Sequence, residues 1–127
     1  MHRLKFIALT LLPLLLAACG PKSSGPEVAV AAYLQALVGK KGDQLTALSC
    51  ANWEQQAALE LDSFQAVKAS LKDLSCKQTG TDGNQTLVQC QGKIVATYNT
   101  ENQELDLSAR TYAVVQEGGE WRVCGYR

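Results

Sequence analysis

Apolar positions recur along this chain with more than one period. The first apolar stretch runs from Phe6 to Ala18, preceded by Arg3 and Lys5 and closed by Cys19. After the breaker-rich residues Gly20 to Pro26, Val30, Leu34, Leu37 and Val38 fall at i, i+4, i+7 and i+8, one stripe of an α-helix. Pro26 suits the opening of that helix and Glu27 its first turn, while Gly39 and Gly42 with Lys40 and Lys41 end it, glycine supplying a left-handed cap. Asp43 is placed to cap a short second helix carrying Leu45 and Leu48 and finishing near Cys50. Asn52 and Gln55 have the spacing of a capping box, after which Trp53, Ala57, Leu61, Phe64, Val67, Leu71 and Leu74 step by threes and fours. A single helix over residues 52–71, or two helices restarted at Asp62-Ser63, satisfies that pattern equally.

From Lys72 the period becomes two. Leu74 and Cys76 alternate with polar neighbours, Thr81-Asp82-Gly83-Asn84 makes a turn, and residues 86–98 form a second strand with Val88, Cys90, Ile94, Ala96 and Tyr98 on one face. Residues 99–104 read as a polar loop. A third strand follows with Leu105, Leu107, Ala109, Ala113 and Val115 on one side, and Gly118-Gly119 turns the chain into a last strand, Trp121 to Tyr126. Helices followed by a four-stranded antiparallel meander predict an α+β domain with its N-terminal helices packed on a curved sheet.

Register selects which cysteines can meet. A turn centred on Gly83 sets Cys76 opposite Cys90, pairing Glu117 with Glu120 sets Cys124 opposite Ala113, and pairing Tyr98 with Leu105 sets Cys90 opposite Ala113 as well. Neighbouring strands stand about 4.8 Å apart, so Cys90 and Cys124, with one strand between them, are about 10 Å apart, beyond the roughly 7 Å reach of a disulfide. The pairing expected is Cys76 with Cys90 across the first hairpin and Cys50 with Cys124 between helices and sheet.

The four residues Leu16-Ala17-Ala18-Cys19 resemble the lipobox of bacterial lipoprotein signal peptides. That resemblance implies removal of residues 1–18, lipid on Cys19 as the membrane attachment, a flexible tether over residues 19–26 and a folded domain over residues 27–127. The apolar run is shorter than the roughly 20 residues of a membrane span and is broken by Pro13. Gly20 rather than Asp after the cysteine fits the periplasmic face of an outer membrane in a diderm cell; in a monoderm cell the place is the outer face of the cell membrane.

Composition narrows the function. Losing 18 of 127 residues leaves 109, enough for one domain. Of the 12 basic residues Arg3 and Lys5 go with the signal, so 10 remain against 12 acidic ones, which leaves no basic field for nucleic acid. The one histidine, His2, also lies in the signal, which removes the usual neutral-pH proton shuttle and the commonest metal ligand. The four cysteines beyond Cys19 include no CxxC spacing, and export to an oxidising compartment favours disulfides over a metal site. No metal, cofactor or catalytic residue is expected.

The order of elements, with Pro26 to Val38 followed by Gly42-Asp43 and the closing Gly-Gly-Glu-Trp-Arg-Val-Cys-Gly-Tyr of residues 118–126, resembles the nuclear transport factor 2-like superfamily and its small bacterial envelope lipoproteins. A cystatin-like domain matches less well, because two short helices precede Trp53. The resemblance implies a cone whose mouth, between sheet and helices, admits a small apolar ligand, with Tyr33, Trp53, Phe64 and Tyr98 available to line it. Superfamily members resembling ketosteroid isomerase or dehydratases use an acid, a tyrosine or a histidine inside the cone. Here the first sheet face carries no Asp or Glu, and Glu54, Glu60, Asp62, Asp106 and Glu117 are expected on solvated faces, so a non-catalytic binding module is the expectation, with a ketosteroid-isomerase-like or dehydratase-like enzyme using a buried carboxylate as the alternative. The opposite sheet face is also apolar, and Tyr112, Val114, Trp121 and Val123 on it are expected to form an interface with a second copy or another envelope protein.

Overall fold

The computed structural model describes residues 25–127. The lipobox, Cys19 and the start of the tether lie outside the described residues. Three helices, α1 (Pro26–Val38), α2 (Gly42–Ala47) and α3 (Glu54–Phe64), precede five strands: β1 (Lys68–Asp82), β2 (Gln85–Tyr98), β3 (Glu101–Asp106), β4 (Thr111–Glu117) and β5 (Glu120–Tyr126). All strand pairs are antiparallel, in the order β1-β2-β4-β5, with β3 also paired to β2. The expected four-stranded sheet is therefore corrected to five. No helix among the described residues is long and apolar enough to cross a membrane.

The additional strand is β3, formed by residues expected to loop. β2 is 14 residues long, and β4 covers only its first half, Thr86–Gln89. The second half, Lys93–Tyr98, is completed by β3 after a two-residue turn in which Asn99 takes a left-handed φ of 57°. Leu105 is the one apolar residue by which β3 packs on the core, and polar pairing holds the rest of the strand. Lys93 Nζ bonds Glu104 Oε1 at 2.9 Å, and Thr97 Oγ1 lies 2.8 Å from Asn102 Oδ1, both cross-strand contacts on a largely exposed edge. A turn of 3-10 helix, Leu107–Ala109, then carries the chain to β4. Asp106 caps it, accepting from the Ser108 amide at 2.9 Å and the Ser108 hydroxyl at 2.7 Å, and those two bonds hold the Asp106 carboxyl below its ordinary pKa.

That turn shifts the inward-facing parity by one residue. Leu105 and Leu107 pack toward the helices, but beyond the turn the inward residues are Tyr112 and Val114 rather than Ala113 and Val115. Tyr112, Val114 and Val123 are wholly buried, and Trp121 is half-buried against them. The expected docking face built from these four residues is thus corrected: it is part of the core.

Helix α3 is also shorter than its apolar spacing predicts. Val67 lies in the turn after it, and Leu71 and Leu74 lie on β1. Both pack against the core although they are three residues apart, because β1 carries a bulge between Lys72 and Ser75. Asp73 adopts a left-handed φ of 55° there, opposite Gly92. A side chain at Gly92 would run into the Lys72 and Asp73 carbonyl oxygens. The expected caps are corrected as well: Lys41 and Trp53 occupy the N-cap positions of α2 and α3, with no side-chain cap bond, and the left-handed residue after α1 is Lys40, not a glycine.

The core lies between α1 and the sheet. Val30, Tyr33, Leu34 and Leu37 meet Val88, Cys90, Ile94, Val114 and Val123, all essentially without solvent contact. Cys76 pairs directly with Cys90 and forms a disulfide, with the Cα atoms 4.0 Å apart. Cys50 and Cys124 form the second, 5.2 Å between Cα atoms and 74 residues apart in sequence. Around it the segment after α2 runs along β5: the Val123 amide donates to Leu48 O at 2.7 Å and the Cys50 amide to Val123 O at 2.9 Å. The register of Cys90 against Ala113 does not form, since β4 pairs Leu87 with Ala113; the register set by Glu117 opposite Glu120 does form as far as Val114 opposite Val123, and a bulge between Tyr112 and Val114 interrupts it before Cys124.

Candidate functional site

Two neighbouring features lie between α3 and the sheet. The first is an open cleft of about 300 Å³ beyond the C-terminal end of α3. Phe64 and Val67 supply its helical side, Ile94 and Ala96 of β2 and Leu105 of β3 supply its floor, and Gln103 and Glu104 stand at its rim. The floor residues are inward-facing partners in the ladder, Ile94 opposite Leu105 and Ala96 opposite Gln103. The cleft exists because β3 extends the sheet past the last turn of α3.

The second feature is a buried polar and aromatic centre. Tyr33 on α1 is wholly buried and its hydroxyl accepts from Trp53 Nε1 at 3.0 Å. Tyr112 on β4 packs 6.5 Å from the Tyr33 ring and 5.6 Å from Tyr126 on β5, and Trp53 meets Tyr126 edge-on at 5.7 Å, within the range of favourable aromatic pairs. The Arg110 guanidinium lies 4.1 Å over the Tyr126 ring, a cation–π contact. Its Nη1 is 3.6 Å from Glu60 Oε1. That is an ion pair, but longer than a hydrogen bond.

Glu60 is the unexpected member. Expected on a solvated face, its side chain is only 8 % exposed, and neither carboxylate oxygen has a hydrogen-bond partner. Burial raises its pKa, and Arg110 pulls it part of the way back. The Tyr112 hydroxyl is likewise buried and unpartnered; Arg110 stands close enough to draw its pKa down but makes no hydrogen bond of good geometry with it, and burial leaves the pKa raised. Tyr33 is raised too, by burial and then by the nearby Glu60 charge, against the lowering effect of the Trp53 bond.

The four aromatic residues expected to line one pocket therefore separate. Tyr33 and Trp53 join the buried centre, Phe64 lines the cleft, and Tyr98 stands 55 % exposed at the end of β2, away from both. Sequence reasoning missed Glu60, Arg110 and Tyr126. A signal for Glu60 was present: it follows Ala57 by three residues and precedes Phe64 by four, which places it on the apolar stripe of α3. Among the described residues, no group of His, Cys, Asp and Glu side chains is arranged to hold a metal ion.

No protein-family model matches the chain, and no curated protein does. Two solved structures share its fold. One is a SEC-C motif containing protein from Rhodopseudomonas palustris, at 10 % identity and a TM-score of 0.53, covering 80 % of this chain and 77 % of that one. The other is the helical cell shape determining protein Pgp2 from Campylobacter jejuni, at 11 % identity and a TM-score of 0.52. The match to Pgp2 covers 79 % of this chain but only 38 % of Pgp2. These findings correct the resemblance drawn from the sequence: the solved structures that share the fold are a SEC-C motif containing protein and Pgp2, and the comparisons show neither a lipobox nor a nuclear transport factor 2-like relationship.

Proposed function

We propose that the domain is a non-catalytic binding module of the cell envelope, held at the membrane through Cys19, and that it takes a small, largely apolar ligand in the cleft beside Phe64. The observation that carries this reading is the cleft itself. It is concave, floored by Ile94, Ala96 and Leu105, and bounded by a few polar groups, and its volume of about 300 Å³ is that of a small ligand site. Two disulfides and an N-terminus that resembles an export signal support an oxidising, extracytoplasmic location.

Native mass spectrometry tests this on residues 20–127, which contain every helix, strand and disulfide described, produced by secretion into an oxidising compartment. The expected spectrum shows protein with added mass that leaves on denaturation. Replacing Ala96, half-buried on the cleft floor, with Trp fills the space and is expected to abolish the added mass. A wild-type protein that carries no ligand and takes up none from an envelope lipid extract refutes the reading.

A further inference from the structure

Among the described residues, three buried side-chain polar atoms have no hydrogen-bond partner: both carboxylate oxygens of Glu60 and the hydroxyl oxygen of Tyr112. Buried polar atoms are nearly always hydrogen-bonded, and an exception requires a reason. We propose that Glu60 and Tyr112, with Arg110 beside them, form the polar end of the cleft and bind the uncharged hydroxyl head of an amphipathic small molecule whose apolar body lies beside Phe64. This inference rests on the ligand-binding reading above and names the ligand's chemical class.

Position supports it first. Glu60 precedes Phe64 by four residues on one face of α3, so the two stand one turn apart, about 6 Å along the helix axis. Helical side chains tilt toward the N-terminus, which directs the Phe64 ring back along the helix toward Glu60. The lining of the cleft stops at Ser63 and Phe64, so a molecule seated there meets the carboxylate one helical turn away by displacing the half-buried Phe64 ring.

Charge then selects the head group. Glu60 is already balanced by Arg110 at 3.6 Å, so the centre is neutral. An ammonium head would place two cations around one carboxylate, and a carboxylate head would place two anions around one guanidinium; either leaves a desolvated charge unmatched. A hydroxyl adds no charge and suits the unused atoms. It donates its proton to a Glu60 oxygen and accepts from the Tyr112 hydroxyl, so two of the three orphaned atoms gain partners from one ligand atom.

Calorimetric titration of residues 20–127 with 1-octanol, octanoate and octylamine at neutral pH tests the inference, using wild type, Glu60→Gln, Glu60→Leu and Ala96→Trp. The expected order is octanol tightest, with each charged probe at least about tenfold weaker. Glu60→Leu is expected to weaken octanol about tenfold, the worth of one hydrogen bond to a charged acceptor. Glu60→Gln keeps an acceptor and the side-chain shape, so it is expected to retain most octanol binding while leaving Arg110 unmatched, which strengthens octanoate relative to octylamine. If the three probes bind wild type alike, or if neither Glu60 variant changes their order while Ala96→Trp still abolishes binding, the polar end is overturned and the cleft stands. If no probe binds wild type, both readings fall.

Discussion

Removing the Cys50–Cys124 disulfide tests how the helices are joined to the sheet. The bridge spans 74 residues, against 14 for Cys76–Cys90. In the chain-entropy model the longer loop contributes about 4.5 kcal/mol and the shorter about 3 kcal/mol, through restriction of the unfolded chain. The long bridge also fixes a segment whose other links to β5 are non-covalent, among them the two backbone bonds at Val123, the Arg122 guanidinium donating to Ala47 O and the Trp53–Tyr126 contact, so its loss is not offset by a second covalent tie. For a domain whose total stability lies in the ordinary range of about 5–15 kcal/mol, a loss of that size removes a large share. At roughly 4–8 °C of melting temperature per kcal/mol, the midpoint is expected to fall by about 20 °C or more. The assay is urea and thermal unfolding of the oxidised wild type, the Cys50→Ala/Cys124→Ala variant and the Cys76→Ala/Cys90→Ala variant, followed by circular dichroism. The reasoning is refuted if the long-bridge variant is no less stable than the short-bridge variant.

Two further outcomes are expected. Val114→Asp places a carboxylate where the native side chain has no solvent contact, which costs several kcal/mol; it is expected to abolish cooperative folding, and a folded variant altered only in its association would return Val114 to the surface. Glu60 has a pKa raised by burial above its ordinary value of 4.5, so its contribution is stabilising below that value and is lost as the pH rises through the folded-state pKa. Glu60→Gln is expected to remove that fall from a plot of urea midpoint against pH, and an unchanged slope in the variant would assign it to another group.

The sequence made the local elements legible where a single period ran between clear punctuation. Pro26 to Val38 and the Gly118-Gly119 hairpin are where their patterns place them, and Cys76 pairs directly with Cys90 as expected, although the turn is Gly83-Asn84, with Asp82 opposite Gln85, and a bulge between Gln78 and Gly80 restores the register of a turn centred on Gly83. Errors arose where two periods coincide. Val67, Leu71 and Leu74 have helical spacing, but the extra residue that produces it is a bulge at Asp73, held open by a glycine 19 positions further along the chain. β3 was hidden because its stability comes from cross-strand polar pairs and from β2's need for a partner, neither of which is written in the apolar pattern of residues 99–104. The 3-10 turn then exchanged the two faces of β4, and with them the expected interface and part of the core. For the site, Tyr33 and Trp53 were visible as large side chains on predicted helices. Arg110 and Tyr126 were not, since only the folded sheet brings the two ends of β4 and β5 beside α3.

The direct opposition of Cys76 and Cys90 also governs the order in which the chain is oxidised. Hairpins form in about 1–10 μs, whereas disulfide formation takes seconds or longer, so the two thiols are already aligned when an oxidant arrives. With loop closure scaling as the three-halves power of length, a 14-residue separation meets about twelvefold more often than one of 74 residues even in an unstructured chain. Four cysteines allow three pairings. Among the four cysteines of the described residues, early closure of the hairpin leaves Cys50 and Cys124 with each other, so the hairpin turn at Gly83-Asn84 guards the long bridge against mispairing without touching it.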